Sequence, residues 1–157
     1  MTESASPIAW RESAFDALTP AVLYALLRLR SEVFVLEQRC LFQDMDGHDA
    51  AAWHLCGWRG EALVAYARCL PAGVTFAEAS IGRIVTAPSA RGGGSGHALV
   101  QRAIDVLEAR WGCRPIRIGA QAHLQAFYAA HGFVDVGRPY VEDGIDHLEM
   151  LRPSASS

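Results

Sequence analysis

A glycine-rich stretch is the part of this sequence best suited to chemistry. It runs from residue 84 to residue 97, reads IVTAPSARGGGSGH, and carries glycine at positions 92–94 and 96. Free backbone N–H groups at the beginning of a helix point outward and carry the positive end of the helix dipole. Glycine lets an anion approach these groups without interference from Cβ. The stretch therefore predicts a diphosphate site, although glycines also accumulate in turns that are merely flexible.

Three familiar phosphate or nucleophile motifs do not fit this loop. The dinucleotide motif G-x-G-x-x-G can use Gly92 and Gly94 but meets His97 at its third glycine. The nucleophile motif G-x-S-x-G can use Gly93 and Ser95 but also meets His97. The Walker motif requires lysine, and all 14 basic residues of this chain are arginine. A P-loop nucleoside triphosphatase, a lysine Schiff base and a pyridoxal phosphate anchor are therefore excluded.

Hydrophobic periodicity places the loop between a strand and a helix. Thr19-Pro20 predicts a helix start, because Thr is favoured as N-cap and Pro at the first helical position. The patterns predict strands at 8–15, 53–58, 62–70, 79–87, 116–120, 133–137 and 147–151, and helices at 20–37, from the loop to Trp111, and at 122–131. Residues 38–50 form a polar, acidic loop with a short helical turn at most. This order favours a mixed α/β fold with a partly antiparallel sheet.

Length and composition bound the domain organisation. The 157 residues, 51% of them hydrophobic, suit one globular domain, which we expect at 8–152 with loose termini at 1–7 and 153–157. The net charge is −3 and the pI is about 6.0, so neither nucleic acid nor an anionic membrane is an expected partner. An apolar strand near either terminus could pair with a second subunit in a homodimer or simply close the sheet.

The cysteines and the N-terminus indicate a cytoplasmic protein. The four cysteines have no C-x-x-C spacing, and the sequence does not begin with a secretory signal, so we expect reduced thiols in the core. The apolar stretch that ends at Arg28 is far shorter than the roughly 20 residues that a membrane span needs.

One family signature does fit the glycine-rich stretch. The pattern R-x-x-G-x-G occurs at Arg91, Gly94 and Gly96, directly after a strand and at the opening of a helix. It resembles the acyl-CoA signature of the GCN5-related N-acetyltransferase (GNAT) superfamily. Downstream, Tyr128 precedes Gly132-Phe133 as in that superfamily, whereas a glutamine stands where an asparagine is usual. Four longer segments resemble the ElaA-type branch: LYALLRLRSEVFVLEQRCLFQDMDGHD, AWHLCGW, AQAHLQAFYAAHGF and VEDGIDHLEM.

The resemblance implies a fold, a donor and site residues. The fold would be that of the GNAT superfamily, a mixed sheet with an antiparallel N-terminal meander and a parallel pair at the CoA site, flanked by helices. The enzyme would transfer an acetyl group from acetyl-CoA directly to an amine of a small molecule, peptide or protein. The residues expected to bind the coenzyme are Ile84, Val85, Thr86, Arg91, Gly92, Gly93, Gly94, Ser95, Gly96, His97 and Gln121.

The resemblance also assigns catalytic roles. Tyr128 would protonate the leaving thiolate, because a phenol with a pKa of about 10 stays protonated at neutral pH and can still donate to a developing anion. It could instead be a core aromatic residue. For the base that takes the proton of the amine we favour Glu37, which could equally be a salt-bridged carboxylate at a helix end. A water chain is also an open alternative, and the other candidate side chains are Glu78, His54 and Asp46.

No metal site is predicted, and two other functions stay open. The D-x-D-G pattern of the acidic loop at 44–49 has Leu55 where a calcium loop needs glutamate. His48, His54 and Cys56 match no zinc spacing. A non-catalytic acyl-CoA-binding module is the alternative to the enzyme, and a hydrolase that uses Ser95 with a neighbouring histidine is a third possibility. If the acidic loop is functional, its charge would favour a cationic amine acceptor.

Overall fold

A computed structural model describes residues 6–154 of the chain. Residues 1–5 and 155–157, which were predicted to be parts of loose termini, lie outside the described residues, and the described ends 6–8 and 153–154 belong to no helix or strand. Within the described range the strands are β1 Ala9–Ala14, β2 Trp53–Arg59, β3 Ala62–Leu70, β4 Ala79–Thr86, β5 Ile116–Gln121, β6 Val134–Glu142 and β7 Ile145–Arg152. The helices are α1 Pro20–Arg30 with a π-helical continuation Ser31–Glu37, α2 Ser95–Trp111 and α3 Gln125–Ala129.

The described strands form a seven-stranded sheet in the order β1-β2-β3-β4-β5-β7-β6. Every neighbouring pair is antiparallel except β4 and β5, which are parallel. This parallel pair is short, because only Ala79 with Ile116 and Ser80 with Arg117 are in register. Beyond these residues β4 keeps its pairing with β3 and β5 keeps its pairing with β7. A gap therefore opens between the carboxyl-terminal halves of β4 and β5.

Helices cover both faces of the sheet. On one face, α2 buries Leu99, Ala103 and Ile104 in a core that includes Ile81 of β4 and Ile118 of β5. On the other face, a second core joins α1 to the strands and contains Leu26, Leu29, Val33, Cys56, Tyr66 and Val85. Each fully buried aliphatic side chain contributes about 1.5–3 kcal/mol. The two cores fix α1 and α2 on opposite sides of the gap between β4 and β5.

The predicted helix at 20–37 is present but changes its winding. Thr19 caps its start, since its hydroxyl oxygen accepts a hydrogen bond of 3.2 Å from the backbone N–H of Val22. After Arg30 the helix widens into π-helical turns, and the N–H of Gln38 donates to the carbonyl of Val33, five residues earlier, at 3.0 Å. Such turns often occur at functional sites. Here they carry the chain towards the gap in the sheet.

The closing hairpin is longer than its sequence pattern predicts. A strand was predicted at 133–137, but β6 runs from Val134 to Glu142. The alternation is interrupted where Gly137 adopts a φ of +75° and its N–H donates to a side-chain oxygen of Asp135 at 2.8 Å. The register with β7 is irregular between Asp135 and Pro139 and then resumes. Because the bulge shifts the alternation of side chains, the sequence pattern does not predict the second half of the strand.

Three arginines and three aspartates form a cluster that holds the 44–49 loop against the sheet. The members of this Arg–Asp cluster are Arg30, Arg68, Arg83, Asp44, Asp46 and Asp49. Arg30 is fully buried and reaches Asp44 at 2.9 Å and Asp49 at 2.8 Å. The formal charges of the cluster cancel, so the acidic loop presents paired carboxylates. The idea that this loop attracts a cationic acceptor is therefore not supported.

Two further sequence predictions can be compared with the structure. Cys40, Cys56 and Cys69 are buried free thiols, as expected, but Cys113 is exposed, so placing all four in the core was wrong. Between residues 6 and 154 no helix is long and apolar enough to cross a membrane.

Replacing Asp44 by asparagine tests the Arg–Asp cluster. Asparagine is neutral, so the buried Arg30 guanidinium loses one of its two carboxylate partners. Breaking a buried ion pair in this way typically lowers the free energy of unfolding by about 3–5 kcal/mol. We expect urea denaturation to show a loss near the lower end of that range, because Asp49 still contacts Arg30. Glu32→Gln is the matched control, since Glu32 forms an exposed pair with Arg28 and should change stability by no more than about 0.5 kcal/mol. Equal effects of the two variants would contradict the structural role.

The same cluster predicts a loss of stability in acid. Burial alone raises the pKa of Asp46 and Asp49, but hydrogen bonds and charge from Arg68 and Arg30 outweigh it and hold both pKa values below the ordinary value. A carboxyl group whose pKa is lower in the folded state stabilises the protein above its unfolded pKa, about 4, and loses that contribution as the pH falls. We expect the urea midpoint to decrease below about pH 4. The decrease should be smaller in Asp44→Asn, whose cluster is already disrupted.

Candidate functional site

A cleft of about 850 Å³ occupies the gap between β4 and β5. Its walls come from helices on both faces of the sheet, so it passes through the sheet at the gap. The predicted site residues that line it are Glu37, Ile84, Val85, Thr86, Arg91, Gly96, Gln121 and Tyr128. The π-helical turns bring Glu37 to this cleft, and the end of β4 brings residues 84–86.

The glycine-rich loop forms a concave run of backbone at the start of α2. Gly92, Gly93 and Gly94 have φ values of +87°, +63° and +82°, which residues with a Cβ rarely adopt. Within the described part of the chain, the N–H groups of these glycines, of Gly96 and of His97 have no acceptor. Successive free amides of this kind, at a helix N-terminus, bind anions.

The predicted site residues are divided between two adjoining depressions. Residues 92–95 line a second depression of about 470 Å³, which Trp10 and Arg59 also border. Arg91 lines both depressions, so they meet at that residue. A ligand with an anionic end and an extended arm could bind with its anionic end at the glycines and its arm in the cleft.

The Arg91 side chain ties the loop to the wall of the cleft. Its guanidinium donates to both carboxylate oxygens of Glu37, at 2.6 and 3.1 Å, and to the carbonyl oxygen of Thr86, at 3.2 and 3.3 Å. The ion pair is about two-fifths exposed. Glu37, the favoured base, is therefore in the cleft but engaged through both of its oxygens.

The free edge of β4 is the second structural feature of the cleft. Val85 and Thr86 pair with β3 through Tyr66 and Ala65. Among residues 6–154, the opposite edge, which faces β5, has no strand partner beyond Ser80. A strand edge with free N–H and C=O groups can pair with an extended amide-containing ligand. Gln121 stands across the gap, at the end of β5, and its amide reaches that of Gln38 at 3.5 Å.

Tyr128 is both a packed core residue and part of the lining of the cleft. Its ring is buried and packs edge-on against Phe127 and Phe133, as a core aromatic residue does. It also lines the cleft, and its hydroxyl makes no hydrogen bond to any residue between 6 and 154. Desolvation by burial raises the pKa of Tyr128 to about 12. The phenol therefore stays protonated at neutral pH and is available as a donor to a group in the cleft.

Three other candidate bases are occupied by structural contacts. His54 is fully buried between the hydroxyl of Tyr66, at 2.6 Å, and the carbonyl of Asp49, at 2.8 Å. Glu78 does not line the cleft and is bound by Arg117, which lowers its pKa. Asp46 lines the cleft, but its two oxygens are held by the Arg–Asp cluster. None of the three is free to accept a proton.

The predicted serine nucleophile is not assembled. Ser95 lines the second depression, and its hydroxyl makes no hydrogen bond to His97 or His123 in the described structure. The His97 ring instead contacts His131, with 2.9 Å between Nδ1 and Nε2, and packs on Phe127. A serine–histidine pair therefore does not form here.

Sequence reasoning missed the residues that the β6–β7 hairpin brings to the cleft. The lining residues from this hairpin are Glu142, Asp143, Ile145 and His147, and the Cys40 thiol lies 3.5 Å from the carbonyl oxygen of Asp143. The segment VEDGIDHLEM was noted only as a point of resemblance. Its Asp143-Gly144 pair is a hairpin-turn signal, and this signal could have placed Glu142 and His147 on neighbouring strands.

Comparisons with known proteins agree on one family of folds. A family model described as an acetyltransferase (GNAT) domain matches residues 29–152. Protein ElaA of Escherichia coli K12 is 41% identical over 147 residues, which cover 92% of this chain and 96% of ElaA. The crystal structure of E. coli ElaA matches with a TM-score of 0.87 at 40% identity, and covers 92% of this chain and 99% of ElaA.

Two other solved structures extend the comparison. An acyl-CoA N-acyltransferase from Pseudomonas aeruginosa is 44% identical with a TM-score of 0.88, and the match covers 92% of this chain and 99% of that one. An aminoglycoside 6′-N-acetyltransferase complexed with coenzyme A has a TM-score of 0.70 at 16% identity, over 94% of this chain and 98% of that one. At such low identity this second match concerns the fold alone. The predicted fold class, a mixed sheet with a parallel pair beside the cleft, is confirmed.

Proposed function

The chain belongs to the acetyltransferase (GNAT) family, and we propose that it transfers an acetyl group from acetyl-CoA to an amine by direct attack in a ternary complex. The observation that carries the proposal is the continuity of two features. Within residues 6–154, the glycine amides at the start of α2 have no acceptor, and they adjoin a cleft that contains an unpaired strand edge and a protonated phenol. Together they suit a donor with a diphosphate, an amide-containing arm and a thioester.

The donor substrate fits the residues that the sequence assigned to it. The amides of residues 92–97, which include Ser95, would hold the diphosphate, with Arg91 at the junction of the two depressions. The free edge of β4 at Ile84–Thr86 would pair with the two amides of the pantetheine arm, as an added strand would. Gln121, on the far side of the gap, offers an amide to the same arm. This arrangement would bring the thioester into the cleft beside Tyr128.

Tyr128 is proposed as the general acid. When the amine attacks the thioester carbon, the carbon–nitrogen bond forms and the carbon–sulfur bond breaks, and the sulfur takes the electron pair. The phenol can donate its proton to this sulfur because burial keeps it protonated and its hydroxyl has no competing partner among the described residues. The residue does not need to move out of its aromatic packing to do so.

Glu37 is the sequence-based candidate for the base. It lines the cleft, but its carboxylate is bound bidentately by Arg91. It would have to release the guanidinium before it could take a proton from the amine. This engagement is also the observation that favours the second candidate function, a non-catalytic module that binds acyl-CoA and regulates a partner.

Replacing Tyr128 by phenylalanine tests the enzyme and the acid together. The ring packing is kept and only the unpartnered hydroxyl is removed, so we expect an unchanged melting temperature. We expect the rate of CoA release with a panel of primary amines to fall by about 10²-fold or more, the usual contribution of a general acid. The control is the double variant that combines Tyr128→Phe with Phe127→Tyr and so carries a hydroxyl on the neighbouring ring instead. Its rate should stay as low as that of Tyr128→Phe.

Calorimetry separates the enzyme from the binding module. Tight binding of CoA by the unmodified chain, with no transfer to any amine of the panel, would favour the module. Full activity of Tyr128→Phe would reject the phenol as acid while leaving the enzyme in place.

Replacing Gly94 by alanine tests the diphosphate site. Gly94 has a φ of +82° and open space around its Cβ position, so alanine creates backbone strain but no clash. Holding a non-glycine residue in that conformation costs about 1–2 kcal/mol. We therefore expect CoA to bind about tenfold more weakly by calorimetry. Gly137→Ala is the matched control, because Gly137 has a φ of +75° and equally open surroundings but lies outside both depressions. Equal losses of affinity in the two variants would reject the site.

A further inference from the structure

His147 is one of the residues that the β6–β7 hairpin contributes to the cleft, and the sequence analysis assigned it no role. It lies on β7, directly across from Gln121 of β5, and its side chain is nine-tenths buried. The ring stacks on Tyr140 of β6, with 5.2 Å between the ring centroids. Desolvation by burial raises the pKa of Tyr140 to about 12, so that ring stays neutral. The stacking and burial hold the imidazole in one orientation.

One hydrogen bond decides which nitrogen of His147 is free. Nδ1 lies 2.8 Å from the carbonyl oxygen of Ile145. A carbonyl can only accept, so Nδ1 carries the hydrogen and the neutral ring has its lone pair on Nε2. Nε2 makes no hydrogen bond with a described residue, and its nearest charged neighbour is a carboxylate oxygen of Glu142 at 3.8 Å. The structure therefore presents an unoccupied proton acceptor at the cleft.

The hairpin that carries His147 is mainly anionic. Its charged and titratable groups are Asp135, Arg138, Tyr140 and Glu142 on β6, Asp143 in the turn, and Asp146, Glu149 and Arg152 on β7; Arg117 is on the neighbouring β5. The rest of the cleft lining contributes Glu37, Cys40, Asp46, Arg83, Arg91, His123 and Tyr128. Arg117 is bound to Glu78 and Glu149. The Glu142 side chain is largely exposed, and its carboxylate makes no hydrogen bond among the described residues. An ammonium group that enters the cleft therefore meets the Glu142 carboxylate beside Nε2.

We infer that His147 is the base that takes the proton of the acceptor, and that Glu142 holds the acceptor as a primary alkylammonium ion. The inference rests on the proposed acetyl transfer and names its substrate class. Glu37 would need to break two hydrogen bonds with Arg91 to act, whereas Nε2 of His147 needs no rearrangement. The carboxylate of Glu142 stabilises the imidazolium that forms.

The proton and electron changes of the step balance. The ammonium ion gives one proton to Nε2 of His147 and becomes a neutral amine. Its nitrogen lone pair forms the bond to the thioester carbon, the carbon–sulfur bond breaks, and the sulfur takes a proton from Tyr128. The new amide nitrogen loses its extra proton to the Tyr128 phenolate, and His147 releases its proton to water. The sum is an acetamide, a thiol and one released proton.

The test compares alkylamines with an aromatic amine in single-residue variants of the full chain. Butylamine and lysine are charged at pH 7, whereas aniline is already neutral and needs no base before it attacks. His147→Asn keeps a nitrogen donor near Nδ1 for the Ile145 carbonyl and removes the acceptor nitrogen. We expect kcat/KM to fall about 10²-fold or more with butylamine and lysine, and much less with aniline.

The pH profile and two further variants complete the test. The acid limb of kcat/KM reports the essential base of the free enzyme, so it should be present in the unmodified chain and absent in His147→Asn. Glu142→Gln should raise KM for the alkylamines while leaving aniline unchanged. His48→Asn, a histidine outside the cleft, should behave as the unmodified chain. Unchanged CoA affinity by calorimetry shows that a variant is folded, and His147→Gln is the substitute if the asparagine variant fails that check.

The outcomes separate this inference from the proposed function. An unmodified chain that transfers acetyl groups to no amine overturns both. An active chain whose His147 variants keep the acid limb and the butylamine rate overturns the inference alone. Loss of the acid limb in Glu37→Gln, with His147→Asn unaffected, would assign the base to Glu37 instead.

Discussion

The separation of β4 from β5 after two residue pairs is the constraint on which the rest of the site depends. Buried backbone N–H and C=O groups need partners, so a strand edge left unpaired inside a domain is stable only if water or a ligand can reach it. The cleft supplies that access. The separation also leaves the first turn of α2 at the rim and lets Tyr128 of α3 reach the opening from the face that α2 covers. A fully paired β4–β5 ladder would close all of these positions at once.

Ion pairs keep the elements around this opening in place. The Arg–Asp cluster joins α1, the 44–49 loop, β3 and β4 through groups whose charges cancel. Burying such charges is costly, and their value lies in the fixed geometry that their many hydrogen bonds impose. Arg91 acts similarly at the surface by joining the end of the π-helical turns to the end of β4. The carboxylates of the acidic loop are therefore paired with arginines, whereas the Glu142 carboxylate on the β6–β7 hairpin makes no hydrogen bond within residues 6–154.

Sequence patterns predicted the fold class because it depends on local rules, whereas the residues assigned to the donor came from the family resemblance and stay a prediction. The run of glycines at 92–94 reports backbone conformation directly, since only glycine readily adopts the positive φ of these residues. The helix at 20–37 and the order of the strands followed from periodicity and from caps such as Thr19. The second half of β6 was missed because a bulge breaks its alternation. The engagement of Glu37 by Arg91 was also invisible, since the two residues are 54 positions apart and meet only through the fold.

The difference between local backbone patterns and tertiary side-chain contacts also explains why the amine-binding residues are harder to infer from the sequence than the donor-binding residues. A diphosphate and an extended amide arm are recognised by backbone groups, and backbone geometry leaves a trace in glycine spacing and strand edges. An amine is recognised by individual side chains, whose meaning depends on what they touch. His54 and His147 are both histidines on strands with one nitrogen directed at a carbonyl oxygen. The other nitrogen of His54 contacts the Tyr66 hydroxyl, whereas that of His147, a residue of the cleft lining, makes no hydrogen bond within residues 6–154. A single tertiary contact thus distinguishes a structural histidine from one available for proton transfer, and no local pattern in the sequence encodes that contact.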